Sequence, residues 1–114
     1  MCKPEASDYI WPMIIYNVTL NIEDSAHDEW LSWMKATHIP EVMATGLFID
    51  YTMSKLLTRQ HDETGSTYVI QYLVEHMENY NKYQAEFAPA LQAKTKALFD
   101  GKFVAFRTLM EKIH

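Results

Sequence analysis

The chain has 114 residues, of which 48% are hydrophobic and 22% are charged, and its formal net charge at pH 7 is −5. A chain of this length and composition forms one domain and can bury a hydrophobic core without disulfides. The negative charge argues against nucleic acid and against an anionic membrane surface as partners, because both attract basic patches.

Residues 1–12 are predicted to form an N-terminal extension to a single domain over residues 13–114. The extension lacks the apolar core of a secretory signal, and no apolar run in the chain approaches the roughly 18 residues of a membrane-spanning helix. The single cysteine, Cys2, has no partner for an internal disulfide. We therefore expect a cytoplasmic protein without a membrane segment.

The first half of the domain is predicted to fold as strand, helix and strand. Residues 13–22 alternate between two faces and are rich in β-branched side chains, which predicts a strand. A helix over about residues 25–38 follows, and Ser25 with an acid three positions later has the spacing of a capping box. Pro40 prevents an uninterrupted continuation and suits the first position of a further turn, while Gly46 suits a left-handed exit from it.

The second half repeats strand, helix and strand. Residues 47–60 and 67–75 alternate around a polar cluster, which predicts a hairpin of two strands. Residues 76–99 have helical spacing, and Pro89 is expected to kink or split this helix. A fourth strand is predicted over residues 102–113. The expected core stripe of the second helix is Tyr80, Tyr83, Phe87, Leu91 and Leu98.

The order β-α-β-β-α-β predicts a ferredoxin-like α+β fold, with a four-stranded antiparallel sheet and two helices on one face. The other sheet face is predicted to be too apolar for solvent and too polar for an ordinary core. Such a face indicates an interface, and two copies packed sheet against sheet would form a barrel-like homodimer. Its polar groups either satisfy each other in the dimer or line a ligand pocket between the sheet and the first helix. We assign to this face Ile15, Asn17, Thr19, Asp50, Thr52, Ser54, Gln71 and Arg107, mixed with Phe48, Val69, Leu73, Phe103 and Leu109.

Five sequence blocks resemble a small bacterial family classed as a domain of unknown function. The blocks are YNVTLNI, WLSWMKATHIPEV, TGLF, EFAPAL and FVAFRT, and the similarity covers about residues 13–113. More distantly, the layout resembles the dimeric α+β barrel superfamily, which includes antibiotic-biosynthesis-type monooxygenases, haem-degrading enzymes and muconolactone isomerases. This resemblance implies a homodimer with a ligand cavity.

His38 is the predicted catalytic residue. An imidazole titrates near neutral pH and can act as acid, base or iron ligand. Pro40 and Gly46 are expected to hold it in a shaped loop after the first helix. The alternative is a histidine at a helix end that interacts only with the last carbonyl groups.

Seven further residues are predicted to bind a ligand. Trp33 suits the wall of a pocket for a planar compound, although large apolar residues at helical spacing are more often core. Asn17 and Thr19 are polar in mid-strand and either bind a ligand or bond across the dimer. Asp50 and Arg107 are expected to form an ion pair, or Arg107 receives a carboxylate or phosphate. The complete set is Asn17, Thr19, Trp33, Asp50, Thr52, Gln71 and Arg107.

No metal site is predicted. The segment HDE occurs at residues 27–29 and 61–63, but adjacent residues rarely converge on one ion, and no HxxxH or HxH spacing supports either. With 3 glycines, the chain also offers no phosphate-cradling loop.

Three functions remain open from the sequence. The first is a homodimeric small-molecule-binding protein, or a cofactor-independent monooxygenase or isomerase, acting on a planar and partly apolar compound. The second is a haem-binding protein with His38 as axial ligand. The third is a non-catalytic interaction protein, which predicts a filled interface without a cavity and tolerance of His38→Ala.

Overall fold

The computed structural model describes residues 13–59 and 63–114. The predicted extension over residues 1–12, and His61 and Asp62 of the second HDE segment, lie outside the described residues. The strands are β1 (Ile14–Ile22), β2 (Asp50–Lys55), β3 (Ser66–Val74) and β4 (Phe103–Glu111), and the α-helices are α1 (His27–Trp33), α2 (Ile39–Ala44), α3 (Met77–Glu86) and α4 (Ala88–Phe99).

The four strands form one antiparallel sheet in the order β2-β3-β1-β4. Buried residues of all four helices join the helix-facing residues of the sheet in one hydrophobic core. The predicted ferredoxin-like α+β fold is therefore confirmed. No helix in the described parts of the chain is long and apolar enough to cross a membrane.

The central strands β1 and β3 follow the alternation of their sequences. Tyr16, Leu20 and Ile22 of β1 are buried under the helices, and they pair in register with Tyr72, Tyr68 and Ser66 of β3. Because side chains of a strand alternate between faces, the intervening residues point away from the helices. The predicted faces of both strands are correct.

The first helical layer is continuous rather than broken before Pro40. A short 3₁₀ turn, Asp24–Ala26, leads into α1, and no side chain caps the helix, so the predicted capping box at Ser25 is not formed. Between α1 and α2 lies a π-helical turn, Met34–His38, in which the Ile39 N–H donates to the Met34 carbonyl. A π turn widens the helix by one residue. Pro40, which has no N–H to donate, therefore follows a widened turn and not a loop.

Helices α3 and α4 divide at Phe87, as Pro89 predicted. Tyr83 and Leu91 of the expected stripe are buried. Leu98 was expected in the same stripe but is 56% exposed, and its neighbour Phe99 is buried in its place. The break at Phe87 shifts the phase of α4 relative to one continuous helix.

The face assignment of β4 is wrong. Arg107 pairs with Val18 and so lies on the helix side, together with Phe103 and Leu109. Shifting a strand by one residue exchanges its two faces. The sheet face away from the helices, here called the open face, is formed by Ile15, Asn17, Thr19 and Asn21 of β1, Asp50, Thr52 and Ser54 of β2, Thr67, Val69, Gln71 and Leu73 of β3, and Val104, Phe106, Thr108 and Met110 of β4.

Strand β2 is shorter than predicted. The alternation from Asp50 onward is correct, since Asp50 and Thr52 pair with the open-face residues Leu73 and Gln71. Phe48, expected on the open face, precedes the strand and is buried against the rings of the core. The alternating pattern wrongly placed Phe48 because side chains alternate between two faces only within a strand, and β2 begins at Asp50.

Two glycines with positive φ lie in the segments that lead into β2 and β3. Gly46 has the predicted left-handed conformation, with φ of 77°, and Gly65 has φ of 72°. A Cβ on Gly46 would meet nothing within 4 Å, whereas a Cβ on Gly65 would collide with the carbonyl oxygen of Ile22. Gly65 therefore also permits a close approach of two backbones.

Candidate functional site

A cavity of about 40 Å³ lies between the sheet and the helical layer. It is called the helix-side cavity here. Val18, Leu20, Ile70 and Phe103 of the sheet and Met34 of the π turn provide its apolar walls. Its polar lining consists of His38, Tyr16, Tyr72, Tyr83, Gln92, Thr95 and Arg107.

His38 enters this cavity from the π turn. Its ring stacks on Trp33, with ring centroids 5.0 Å apart, and its buried Nδ1 has no hydrogen-bond partner among the residues that the structure describes. Burial is the main cause that lowers the pKa of His38 to about 4; Glu41 opposes the change, and Arg107 and Lys94 add to it. The imidazole is therefore neutral at pH 7 and has a free lone pair, while the same burial makes a proton on it costly.

Arg107 reaches the same cavity from β4. This placement excludes the expected ion pair with Asp50, because Asp50 lies on the open face. The Tyr16 hydroxyl interacts with the side chains of Arg107 and Gln84, both of which lower its pKa, although burial is the larger influence and raises it. The sheet thus supplies a cation and a phenol opposite the helix-borne imidazole.

The buried tyrosines form a connected aromatic cluster. The Tyr16 ring lies 6.0 Å from Tyr72 and 5.9 Å from Tyr83, measured between centroids. Burial raises the pKa of Tyr72 and of Tyr83 above the ordinary value, so both keep their protons at neutral pH. Their hydroxyl groups are available to the cavity as neutral donors.

The polar residues predicted on β1, β2 and β3 do lie on the open face, away from His38. Asn17 is 7% exposed, and its Nδ2 donates to Thr19 Oγ1 at 3.0 Å and to Thr108 Oγ1 at 3.2 Å. Gln71 Nε2 donates to Asn17 Oδ1 at 3.3 Å. These bonds lie within one chain, so the side-chain amide of Asn17 requires no partner across a dimer for its hydrogen bonds.

A second, more open depression of about 180 Å³ lies at the edge of the open face. Asp50, Thr52 and Gln71 line it together with Lys112. The predicted ligand residues are therefore divided between two sides of the sheet. Arg107 lines the helix-side cavity, Trp33 packs behind His38, and the other five belong to the open face.

The first HDE segment has a structural contact. His27 Nε2 lies 2.6 Å from the Tyr68 hydroxyl, and His27 Nδ1 lies 2.8 Å from Asp28 Oδ1. The hydrogen bond to Tyr68 ties the start of α1 to β3.

Sequence reasoning missed five polar residues of the cavity, which are Tyr16, Tyr72, Tyr83, Gln92 and Thr95. Tyr16 and Tyr83 were expected in the core for their spacing alone. The available signal was their chemistry, because a tyrosine on a buried face brings a hydroxyl that needs a polar neighbour.

A four-stranded sheet with a polar-lined cavity beneath its helices places this chain among the ferredoxin-like α+β proteins, and solved structures share that fold. SnoaB, a cofactor-independent oxygenase from Streptomyces nogalater, superposes in a mutant form with a TM-score of 0.65 and 15% identity, covering 91% of this chain and 96% of its own. An EthD-family protein from Bacillus halodurans gives a TM-score of 0.66 at 9% identity, covering 88% and 99%. A dimeric ferredoxin-like protein from an uncultured marine organism gives 0.60 at 10%, covering 91% and 98%.

The family itself is identified by sequence. Residues 13–113 match the model of DUF4286, a domain of unknown function, and the chain belongs to that family. The comparison with curated proteins gives no match.

Proposed function

We propose that this chain is a homodimeric small-molecule-binding protein whose ligand occupies the helix-side cavity, with His38 as proton acceptor. The observation that carries the proposal is the unpartnered, buried Nδ1 of His38 in a cavity that Arg107 also lines. A buried polar atom without a partner costs free energy, and such atoms in a cavity indicate a missing ligand or water.

The chemistry that fits is a proton transfer without a cofactor. A ligand C–H or O–H gives its proton to the neutral imidazole, which leaves an imidazolium and a ligand anion. In an isomerisation the imidazolium returns that proton to another atom of the ligand, so atoms and electrons balance without an oxidant. The buried tyrosine hydroxyls stabilise the intermediate anion by donating hydrogen bonds.

The homodimer is supported by the chemistry of the open face. Val104 is 72% exposed and Phe106 is 60% exposed, both beside a row of polar groups that is already hydrogen-bonded. Covering Asn17, Gln71 and Thr108 costs little, since these groups keep their mutual hydrogen bonds when water leaves. The occupant that fits is a second open face packed around a two-fold axis.

A haem-binding function does not fit this cavity. The free volume of about 40 Å³ has no room for a porphyrin, so we derive no step through haem. A purely structural role predicts a filled interface without a cavity and tolerance of His38→Ala, and the His38→Gln comparison below separates it from the proposed function.

Native mass spectrometry on protein purified from its own cells tests the proposal. We expect a dimer with retained mass. The released molecule is then incubated in D₂O with wild type, with His38→Gln and with the control His114→Gln, whose site is exposed. Wild type and control should introduce deuterium and His38→Gln should not. A monomer would contradict the dimer, and equal exchange by His38→Gln would contradict the role of His38.

A further inference from the structure

We propose that the helix-side cavity takes a small organic carboxylate, with Arg107 as its anchor. This inference deepens the proposed function and rests on it, because it names the class of ligand for the same cavity.

The charge of the cavity lining is unbalanced. Arg107 is the only cationic side chain among the described lining residues, and no Asp or Glu lines the cavity with it. Within residues 13–59 and 63–114, no ion pair involves Arg107, whereas Lys94 on α4 lies 3.0 Å from the Glu41 carboxylate. A guanidinium that faces a cavity without a carboxylate partner favours an anionic occupant.

The effect of this cation reaches three groups around the cavity. Burial is the largest influence on the pKa of Tyr16, Tyr83 and His38, and it disfavours the charged form of each. In all three, Arg107 lowers the pKa, which means that it favours negative charge and opposes positive charge there. An anionic ligand would receive the same stabilisation and would offset the penalty for a proton on His38.

The remaining lining narrows the class of anion. The planar fork of a guanidinium matches the two oxygens of a carboxylate, and the Tyr16 hydroxyl beside Arg107 can donate a further hydrogen bond. One arginine does not balance a phosphate dianion. The apolar walls of the sheet side, Val18, Leu20, Ile70 and Phe103, suit an apolar carbon skeleton. The volume of about 40 Å³ restricts that skeleton to a few atoms unless the helical layer moves.

The two layers would hold opposite ends of such a ligand. Arg107 belongs to the edge strand β4 and its residue is exposed, so a carboxylate can reach it from solvent. His38 belongs to the helical layer. A carboxylate bound to Arg107 therefore directs the carbon skeleton into the cavity that His38 lines.

Matched pairs of probes test this inference on the full chain. Acetate is compared with acetamide, and benzoate with benzamide, by titration into isotope-labelled protein while the NMR signals of His38 and its neighbours are followed. Within each pair the size is the same and only the charge differs. We expect the carboxylates to shift these signals and the amides to bind roughly ten-fold more weakly or worse. A response to acetate but not to benzoate would support the anion preference and show that the helical layer does not move to admit the larger carboxylate.

Two variants locate the anchor. Arg107→Gln should weaken carboxylate binding by roughly ten-fold or more, because a charge-assisted pair is lost. Arg59→Gln makes the same charge change on an exposed residue outside the cavity, whose Nη2 donates to the Glu63 carbonyl, and it should leave binding unchanged. Arg107→Lys keeps the charge but loses the fork, and it should give an intermediate affinity. Circular dichroism confirms that each variant is folded.

The outcomes separate the inference from the function on which it rests. If amides bind at the cavity as well as carboxylates, or if Arg107→Gln binds carboxylates unchanged, the anion preference is overturned and the cavity function remains. If neither member of either pair shifts the signals of His38, both are overturned.

Discussion

The burial of His38 predicts a specific loss of stability in mild acid. Its pKa in the folded protein is about 4, against 6.5 for an unperturbed histidine, so between these values the unfolded chain binds a proton that the folded chain does not. Stability contributed by a group of this kind is present above pH 6.5 and is lost as the pH falls. Integrating over that interval gives a loss of about 2 kcal/mol by pH 5 and about 3 kcal/mol by pH 4.

Burial determines the sign of this effect, and the charged groups that face His38 modify its size. Glu41 on α2 favours the protonated imidazole, while Arg107 on β4 and Lys94 on α4 oppose it, and burial outweighs them all. His38→Gln removes the titrating group and keeps an amide of similar length. The free energy of unfolding of this variant should therefore fall less between pH 7 and pH 5 than that of wild type, by about 2 kcal/mol.

Urea unfolding at pH 7, 6, 5 and 4 measures the difference. Protein concentration must be constant, because the stability of a dimer depends on it. His114→Gln, at an exposed terminal position, is the control and should follow wild type. Equal pH dependence in wild type and His38→Gln would refute the reasoning, because the pKa of His38 would then be the same in the folded and the unfolded chain.

Three further predictions concern the sheet and its turns. Asn17→Ala should lower the free energy of unfolding by about 1–3 kcal/mol in urea titrations, because the three hydrogen bonds of its buried amide are lost. Phe106→Glu should yield a folded monomer in analytical ultracentrifugation, while the control Leu57→Glu, exposed outside the open face, should stay dimeric; a dimeric Phe106→Glu would contradict the open-face interface. Gly65→Ala should lower the thermal midpoint more than Gly46→Ala, because both glycines have positive φ but only a Cβ at Gly65 collides with the backbone of Ile22. Equal shifts in the two variants would show that the collision adds nothing to the backbone strain of positive φ.

The sequence predicted the central strands better than the edges. In β1 and β3 the pattern alternates clearly, because one face of each strand is buried under the helices. In β4 both faces are apolar: Phe103 and Leu109 lie on one, and Val104 and Phe106 on the other. Alternation of polar and apolar residues cannot show which of two apolar faces packs on the helices. The charge of Arg107 led to its wrong assignment to the open face. A long arginine on an edge strand can stay accessible to solvent while it lines a cavity.

The candidate site was predicted in part. His38 was selected for its chemistry, and the cavity contains it, but it lies in a π turn and not in the expected loop. No local pattern in the sequence specifies a π turn, because it depends on how α1 and α2 both pack on the sheet. The other polar residues of the cavity come from β1, β3, β4, α3 and α4, and their meeting depends on registers that a single sequence does not state.

The π turn has an evolutionary consequence. A π turn holds one residue more than the α-helical turn that it replaces, so the loss of one residue from Met34–His38 would restore a regular α-helix while the residues beyond it kept their orientation. Before the deletion, both Trp30 upstream and Val42 downstream face the core. A descendant lacking one codon here would keep both residues buried, and only the widened turn that carries His38 would change. Relatives that differ in length within this turn should therefore differ in chemistry even where the rest of the fold is unchanged.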